Sequence, residues 1–304
     1  MPRPDATLML DLDGPLDLVG SLGPLVRGNG DRTIRLARDR AWFATRTDRG
    51  PATVGLTLAG TGRVRADGWG PGVDAALDRV TRLFGPSTGD LVDTDDPRIS
   101  GLARRRPGVR ILRTGAIMES LVPAILEQKV TGTEAHRAWH GLVRQYGEPA
   151  PGPVELGLRL LPSATTLADL PYWAFHPLGV ERRRADLIRT VARHATTFER
   201  LTDAPLEAAY ARLRAVPGIG PWTVAEVGVR VLGDVDAVSV GDFHLPHLVA
   251  YALAGEPRAT DTRMLELLEP YRGRRALVVR LLELSGVRAP SYGPRLAPRR
   301  IEGI

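Results

Sequence analysis

Val216-Pro217-Gly218-Ile219-Gly220-Pro221-Trp222-Thr223 is the stretch on which the reading of this chain turns. Just upstream, Leu206, Ala209, Leu213 and Val216 recur at helical spacing and predict an amphipathic helix. Pro217 to Gly220 stops it. Pro221 restarts a helix, since a proline in the first turn lacks only an amide hydrogen that has no partner there. The reading is helix, four-residue turn, helix. Glycines at 218 and 220 allow a tight turn and a close approach of backbone to a ligand. The second helix opens with free amides at its positive dipole end, which suits a phosphate. An ordinary connection between two helices has the same form.

Outward from the hairpin, helical periodicity fills roughly 96–105, 115–128, 133–146, 164–169, 180–198, 206–215, 221–232, 243–253, 260–268 and 273–285. Before residue 95 the pattern differs. Short apolar or alternating runs at Ala6–Leu12, Arg32–Ala37, Arg40–Arg46, Val54–Leu58 and Arg63–Ala66 predict strands, with turns at Gly50-Pro51 and Thr61-Gly62. Val73 to Phe84 predicts one helix packed on that sheet. The fold class is therefore α+β. A small antiparallel sheet-plus-helix domain spans 1–94, an all-helical domain spans 95–290, and a Pro- and Arg-rich flexible tail spans 291–304.

The composition narrows the function classes. The 304 residues carry a net charge of +6 and no cysteine. Disulfides, thiol catalysis and Cys-ligated zinc or iron–sulfur clusters are excluded. Basic charge fits a polyanionic partner without choosing one. No run approaches the ~18 apolar residues of a membrane span, and the N-terminus lacks a signal-peptide core. The expectation is a cytoplasmic, nucleoid-associated monomer with no membrane partner.

The hairpin resembles the helix-hairpin-helix signature of the HhH-GPD superfamily of DNA glycosylases. Gly233-Asp234-Val235-Asp236-Ala237-Val238-Ser239-Val240-Gly241-Asp242 follows it, similar to the family loop that leads to an Asp at the head of the next helix. Ile125 to Thr131 and Leu178 to Ala185 resemble two further family segments. The match covers roughly 95–290 and looks closest to the 3-methyladenine DNA glycosylase II (AlkA-like) group, which also has an N-terminal sheet domain. The resemblance implies base excision: hydrolysis of the N-glycosidic bond of a flipped-out alkylated purine in double-stranded DNA, leaving an abasic site.

In that reading Asp242 is the catalytic carboxylate. Cleavage of the bond builds positive charge on the sugar, which a carboxylate stabilises while it aligns a water. An Asp at a helix start also caps the helix. The family's bifunctional members place a lysine nucleophile where this chain has Trp222, and Lys129 is the only lysine. Water is therefore the expected nucleophile, without AP-lyase activity. Missing cysteines count against the iron–sulfur branches.

Trp222, Phe243 and Glu226 are the expected base pocket, with Glu226 replacing the aromatic residue common in AlkA-like relatives; core packing is the plainer role for Trp222. Gly218, Ile219, Gly220 and Thr223 of the hairpin and Gln128 and Lys129 of the preceding turn are the expected DNA contacts, the last two at the position of the wedge that fills the gap left by the flipped base. The resemblance further implies a monovalent cation, sodium or potassium, on the carbonyls of Arg214, Val216 and Ile219. No other cofactor is required. Arg104–Arg106, Arg182–Arg184 and Arg272–Arg275 are basic groups for phosphates or for solvated helix faces, and Asp234 and Asp236 are loop and capping residues. Two rivals stand beside this reading: the same scaffold acting on deaminated or oxidised bases, and a non-catalytic DNA-binding hairpin protein.

Overall fold

The computed structural model describes residues 2–290, so the tail expected at 291–304 lies outside the described residues. The chain starts with β1 (Ala6–Asp11) and a short helix, α1 (Leu18–Leu22). Strands β2 (Ile34–Leu36), β3 (Arg40–Thr47), β4 (Gly50–Gly60) and β5 (Arg63–Trp69) follow, and the five pair in the order β1-β5-β4-β3-β2, all antiparallel. Alternation decides the buried face: Ala52, Val54 and Leu56 of β4 and Val64 and Ala66 of β5 are buried. Helix α2 (Val73–Val80) covers that face with Ala76, Leu77 and Val80.

Two expectations here are corrected. β4 runs through the expected turn at Gly50-Pro51, because Pro51 pairs only with Arg46 of β3, while β5 reaches β4 from Thr53 onward. A proline beyond the reach of the second neighbour removes no ladder hydrogen bond. The helix expected to run to Phe84 stops at Val80. Phe84 instead begins β6 (Phe84–Ser87), which pairs with β7 (Arg110–Leu112) across the intervening α3 (Pro97–Arg105).

Helix α4 (Ile117–Leu126) is the axis of the helical half, with Ile117, Leu121, Ile125 and Leu126 fully buried. Each such side chain contributes about 2 kcal/mol by leaving water. Around it lie α5 (Gly132–Tyr146), α6 (Ala164–Asp169), α7 (Tyr172–Phe175), α8 (Arg182–Arg193) and α9 (Ala195–Glu199). Thr131 and Glu134 close a capping box on α5. The single helix expected over 180–198 breaks at His194, whose φ of −109° and ψ of 17° leave the helical region.

Helices α10 (Leu206–Arg214) and α11 (Pro221–Val227) form the hairpin and bury Leu213, Ile219, Val224 and Val227 in the core around α4. Helices α12 (Leu245–Ala254), α13 (Asp261–Leu268) and α14 (Arg275–Leu284) build a separate core with Leu91, Ile99 and Ile111. The segment 233–244 crosses from one core to the other.

Two carboxylates fasten α4, one to the sheet and one to α9. Glu119 accepts from the Arg46 amide (2.7 Å) and the Thr45 hydroxyl (2.9 Å) of β3, while Glu199 accepts from the Ile117 and Met118 amides (2.9 Å each) at the start of α4. Burial pushes the Glu119 carboxyl up to about 7 and raises that of Glu199. Beside Glu119 lies a cavity of about 70 Å³, bounded in part by Phe43, Arg79 and Ser120; no expected site residue lines it. Among the described residues no helix is long and apolar enough to cross a membrane.

Candidate active site

Asp242 ends the crossing segment. Its Oδ1 accepts from the amides of His244 (2.7 Å) and Leu245 (2.8 Å), so it caps α12. Its Oδ2 accepts from the indole Nε1 of Trp222 (3.1 Å). One oxygen thus serves the helix, and the other is held by the aromatic residue at the head of α11. Three donors fix its orientation, and Oδ2 keeps a lone pair for a water.

The path from Trp222 to Asp242 contains a π-helical turn at Gly228–Leu232, which continues α11 with hydrogen bonds that span one residue more than those of an α-helix. Tyr210 of α10 lies against Gly228 so closely that a Cβ there would strike its hydroxyl. That hydroxyl donates to Asp234, and burial together with Asp234 raises its pKa above the usual phenol range.

The loop beyond Gly233 is fastened along its length. Asp234 also takes the Asp236 amide (2.8 Å). Asp236 accepts from the Gly273 amide (2.8 Å) and forms an ion pair with Arg275 (2.6 Å) at the start of α14. Ser239 donates to Glu226 (2.5 Å), and the Gly241 amide donates to both oxygens of Asp261 (3.1 Å each). Asp234 and Asp236 are loop and capping residues, as the sequence suggests. Nothing in the local sequence pattern of Tyr210, Ser239 and Asp261 distinguishes them from surface polar residues.

Of the expected pocket residues, Trp222 is in direct contact with Asp242. Phe243 is 73% exposed, with its ring edge-on to His244 (4.9 Å) and His247 (6.2 Å). His247 accepts the Ala259 amide on Nδ1 (3.1 Å), which leaves Nε2 protonated in its neutral form. Glu226 is buried, and its carboxylate is already engaged by Arg230 and Ser239.

In the hairpin, Gly218 adopts φ +100° and is exposed. Ile219 is buried, and its amide donates to the Val216 carbonyl (3.0 Å). Thr223 is buried with its hydroxyl accepting from Gln128 Nε2 (2.9 Å), which also donates to the Gly218 carbonyl (3.0 Å). Gln128 therefore braces the hairpin, and Lys129, exposed at φ +55°, is the side chain of that turn that faces solvent. Gly218, Gly220 and the first-turn amides of Trp222 and Thr223 remain for an anion.

The basic groups divide by role. Arg184 is buried and donates to the Leu126 carbonyl (2.7 Å), closing the end of α4, so it is not a phosphate ligand. Arg182 lies over the Tyr172 ring (4.5 Å). Arg106 pairs with Asp17 (3.2 Å), Arg272 with Glu269 (2.8 Å) and Arg275 with Asp236.

Comparison with known proteins follows this geometry. No protein-family model matches the chain. It is 31% identical over 151 residues to a "Probable bifunctional transcriptional activator/DNA repair enzyme AlkA" of Mycobacterium tuberculosis, covering 49% of this chain and 30% of that relative's length. In fold it is similar to a 3-methyladenine DNA glycosylase from Archaeoglobus fulgidus, with TM-score 0.76 and 18% identity over 91% of this chain and 97% of the other. A Clostridium acetobutylicum 8-oxoguanine glycosylase/lyase gives TM-score 0.67 and 12% identity over 93% and 97%. Sequence similarity thus extends over about half of the chain, and the chain has the fold of these DNA glycosylases over nine-tenths of its length.

Proposed function

We propose that this protein is a monofunctional DNA glycosylase that hydrolyses the N-glycosidic bond of alkylated purines in double-stranded DNA. The observation that carries the reading is the Asp242 carboxylate held by the Trp222 indole at the head of the hairpin. Supporting it are the similarity to the mycobacterial AlkA and the likeness in fold to a 3-methyladenine glycosylase.

An alkylated purine is cationic. When its bond to C1′ breaks, the base takes the bonding pair and leaves neutral, so little acid catalysis is needed. The sugar is left as an oxocarbenium-like cation, which Asp242 stabilises. Water then adds to C1′ and gives its proton to Oδ2. With Trp222 in the slot of the lyase lysine, no amine is placed to form a Schiff base, and the product is an intact abasic strand. Phe243 and Trp222 offer aromatic faces to the extruded base. Glu226 does not offer a free charge to that base, since Arg230 neutralises it.

The hairpin holds a phosphate through its glycines and first-turn amides, and Lys129 faces the DNA from the adjoining turn. The cation implied by the resemblance fits this backbone. The Arg214 carbonyl ends α10 without an intrahelical donor, and the Val216 carbonyl spends one lone pair on Ile219. With the Ile219 carbonyl, these are hard oxygen donors of the kind sodium and potassium accept. Such an ion would supply positive charge next to the bound phosphate.

The test is release of free base from methylated duplex DNA by the wild type and by Asp242→Asn, which keeps the amide-accepting oxygen that caps α12. Free methylpurines and unbroken abasic strands from the wild type, with DNA binding but no release by the variant, support the reading. DNA binding without release by the wild type overturns it, and release from deaminated or oxidised duplexes then identifies the same chemistry on another base. Silence on every base leaves a DNA-binding hairpin protein.

A further inference from the structure

Resting on the reading above, we infer that Ser239 and Glu226 form a positioning pair that holds the backbone under Asp242. The Ser239 hydroxyl donates to Glu226 Oε1 (2.5 Å), and the Ser239 carbonyl accepts the Asp242 amide (3.2 Å). The bond to α11 therefore reaches the catalytic residue through a single peptide segment. Trp222 sits four positions before Glu226 on the same helix, so both hold the Asp242 end of the loop from one rigid element: Trp222 by the side chain, Glu226 by the main chain.

Glu226 can serve as this anchor because its charge is held in place. It is 8% exposed and pairs with Arg230, one helical turn further on. Arg230 lies near a second pair, Arg27 with Glu127 (3.2 Å), so two guanidinium groups and two carboxylates share one buried region. Arg27 comes from the segment between α1 and β2, and Glu127 immediately precedes the hairpin brace Gln128. A buried ion pair is costly to break from one side, since the remaining charge is left without water or partner. Such an anchor fixes a loop more firmly than an exposed hydrogen bond would.

The effect is on geometry. The Ser239 side chain is bonded to Glu226 and not to the Asp242 carboxylate; through its carbonyl it sets where that carboxylate stands, and displacement of a reacting group by about 1 Å lowers rates by ~100-fold. The variants that test it are Ser239→Ala, which removes the bond without burying an unpaired charge on Arg230, and Ser239→Thr, which restores the hydroxyl. The measurements are single-turnover release of methylpurine at saturating enzyme, duplex affinity, melting temperature, and amide hydrogen exchange across 233–242.

The expected result is a ~10-fold to ~100-fold slower release by Ser239→Ala, with affinity and melting temperature retained, faster exchange confined to the loop, and recovery of the rate in Ser239→Thr. Wild-type rate in Ser239→Ala overturns the pair. So does a loss that tracks melting temperature and is not recovered by Ser239→Thr, because that is a structural defect alone. If the wild type releases no base, the glycosylase reading fails separately; exchange then decides the pair, and an Asp242 amide equally protected in Ser239→Ala overturns it.

Discussion

Trp222 and Asp242 stand twenty positions apart, and the indole Nε1 of one donates to Oδ2 of the other at 3.1 Å. The remaining carboxylate oxygen is spent on the two amides that open α12. The carboxylate is thus fastened from both sides, by a side chain on α11 and by the backbone of α12.

Replacing Trp222 by Phe keeps an aromatic face and removes the indole donor. A hydrogen bond to a charged group is worth about 2 kcal/mol. Release of methylpurine is therefore expected to slow by ~10-fold or more, with duplex affinity little changed. Single-turnover kinetics beside a binding titration check this; an unchanged rate would remove the indole from the mechanism.

Gly228 has no room for a side chain, since a Cβ would meet the Tyr210 hydroxyl and the ring carbon behind it. Gly228→Ala is expected to lower stability by about 2 kcal/mol by forcing Tyr210 away from Asp234. Thermal unfolding measures it. Combination with Tyr210→Phe, which removes the hydroxyl, is expected to recover part of the loss.

Glu119 makes stability depend on pH in a definite direction. Its carboxyl titrates near 7 in the folded protein and near 4.5 when exposed, so between those values the folded state holds a proton that the unfolded state has lost. Stability therefore falls as pH rises from 4.5 to 7, by on the order of 3 kcal/mol, and levels off above that. The raised carboxyl of Glu199 acts in the same direction. Glu119→Gln is expected to flatten this slope and to gain stability at pH 8 relative to wild type; denaturant unfolding at pH 5, 7 and 8 would show an unaltered slope if Glu119 were not its source.

Arg184 separates charge from structure. Its guanidinium closes α4 through the Leu126 carbonyl, so Arg184→Ala is expected to destabilise the protein by about 2 kcal/mol. The salt dependence of DNA binding is expected to stay as in wild type, whereas loss of a phosphate contact would reduce the slope by about one. Melting curves and binding at several salt concentrations distinguish the two.

Much of this architecture is legible in the sequence because periodicity reports burial. Leu213 of α10 and Val224 and Val227 of α11 reach the core at helical spacing, and the Gly218 turn between the two helices needs the residue it has. Asp242 and Trp222 are legible through resemblance. The partners of the loop are not, because a hydrogen bond between Ser239 and Glu226 or between Gly241 and Asp261 leaves no periodic trace. The same holds for charge: Arg183 and Arg184 read alike in the chain, yet the first is exposed and the second caps a buried helix end. Pro51 and Phe84 misled in the opposite direction, since a turn signal and a helical spacing gave way to strand pairing.

The loop from Gly233 to Asp242 has almost no regular structure of its own and takes its shape from Tyr210 of α10, Glu226 of α11, Asp261 of α13 and the opening of α14. Its ordering entropy is accordingly spent when the protein folds, before any DNA arrives. Activity then becomes a sensor of local integrity. Fraying of α13 or α14, though neither carries the carboxylate, loosens the segment that does, so the proposed base release is expected to decline on heating ahead of global unfolding.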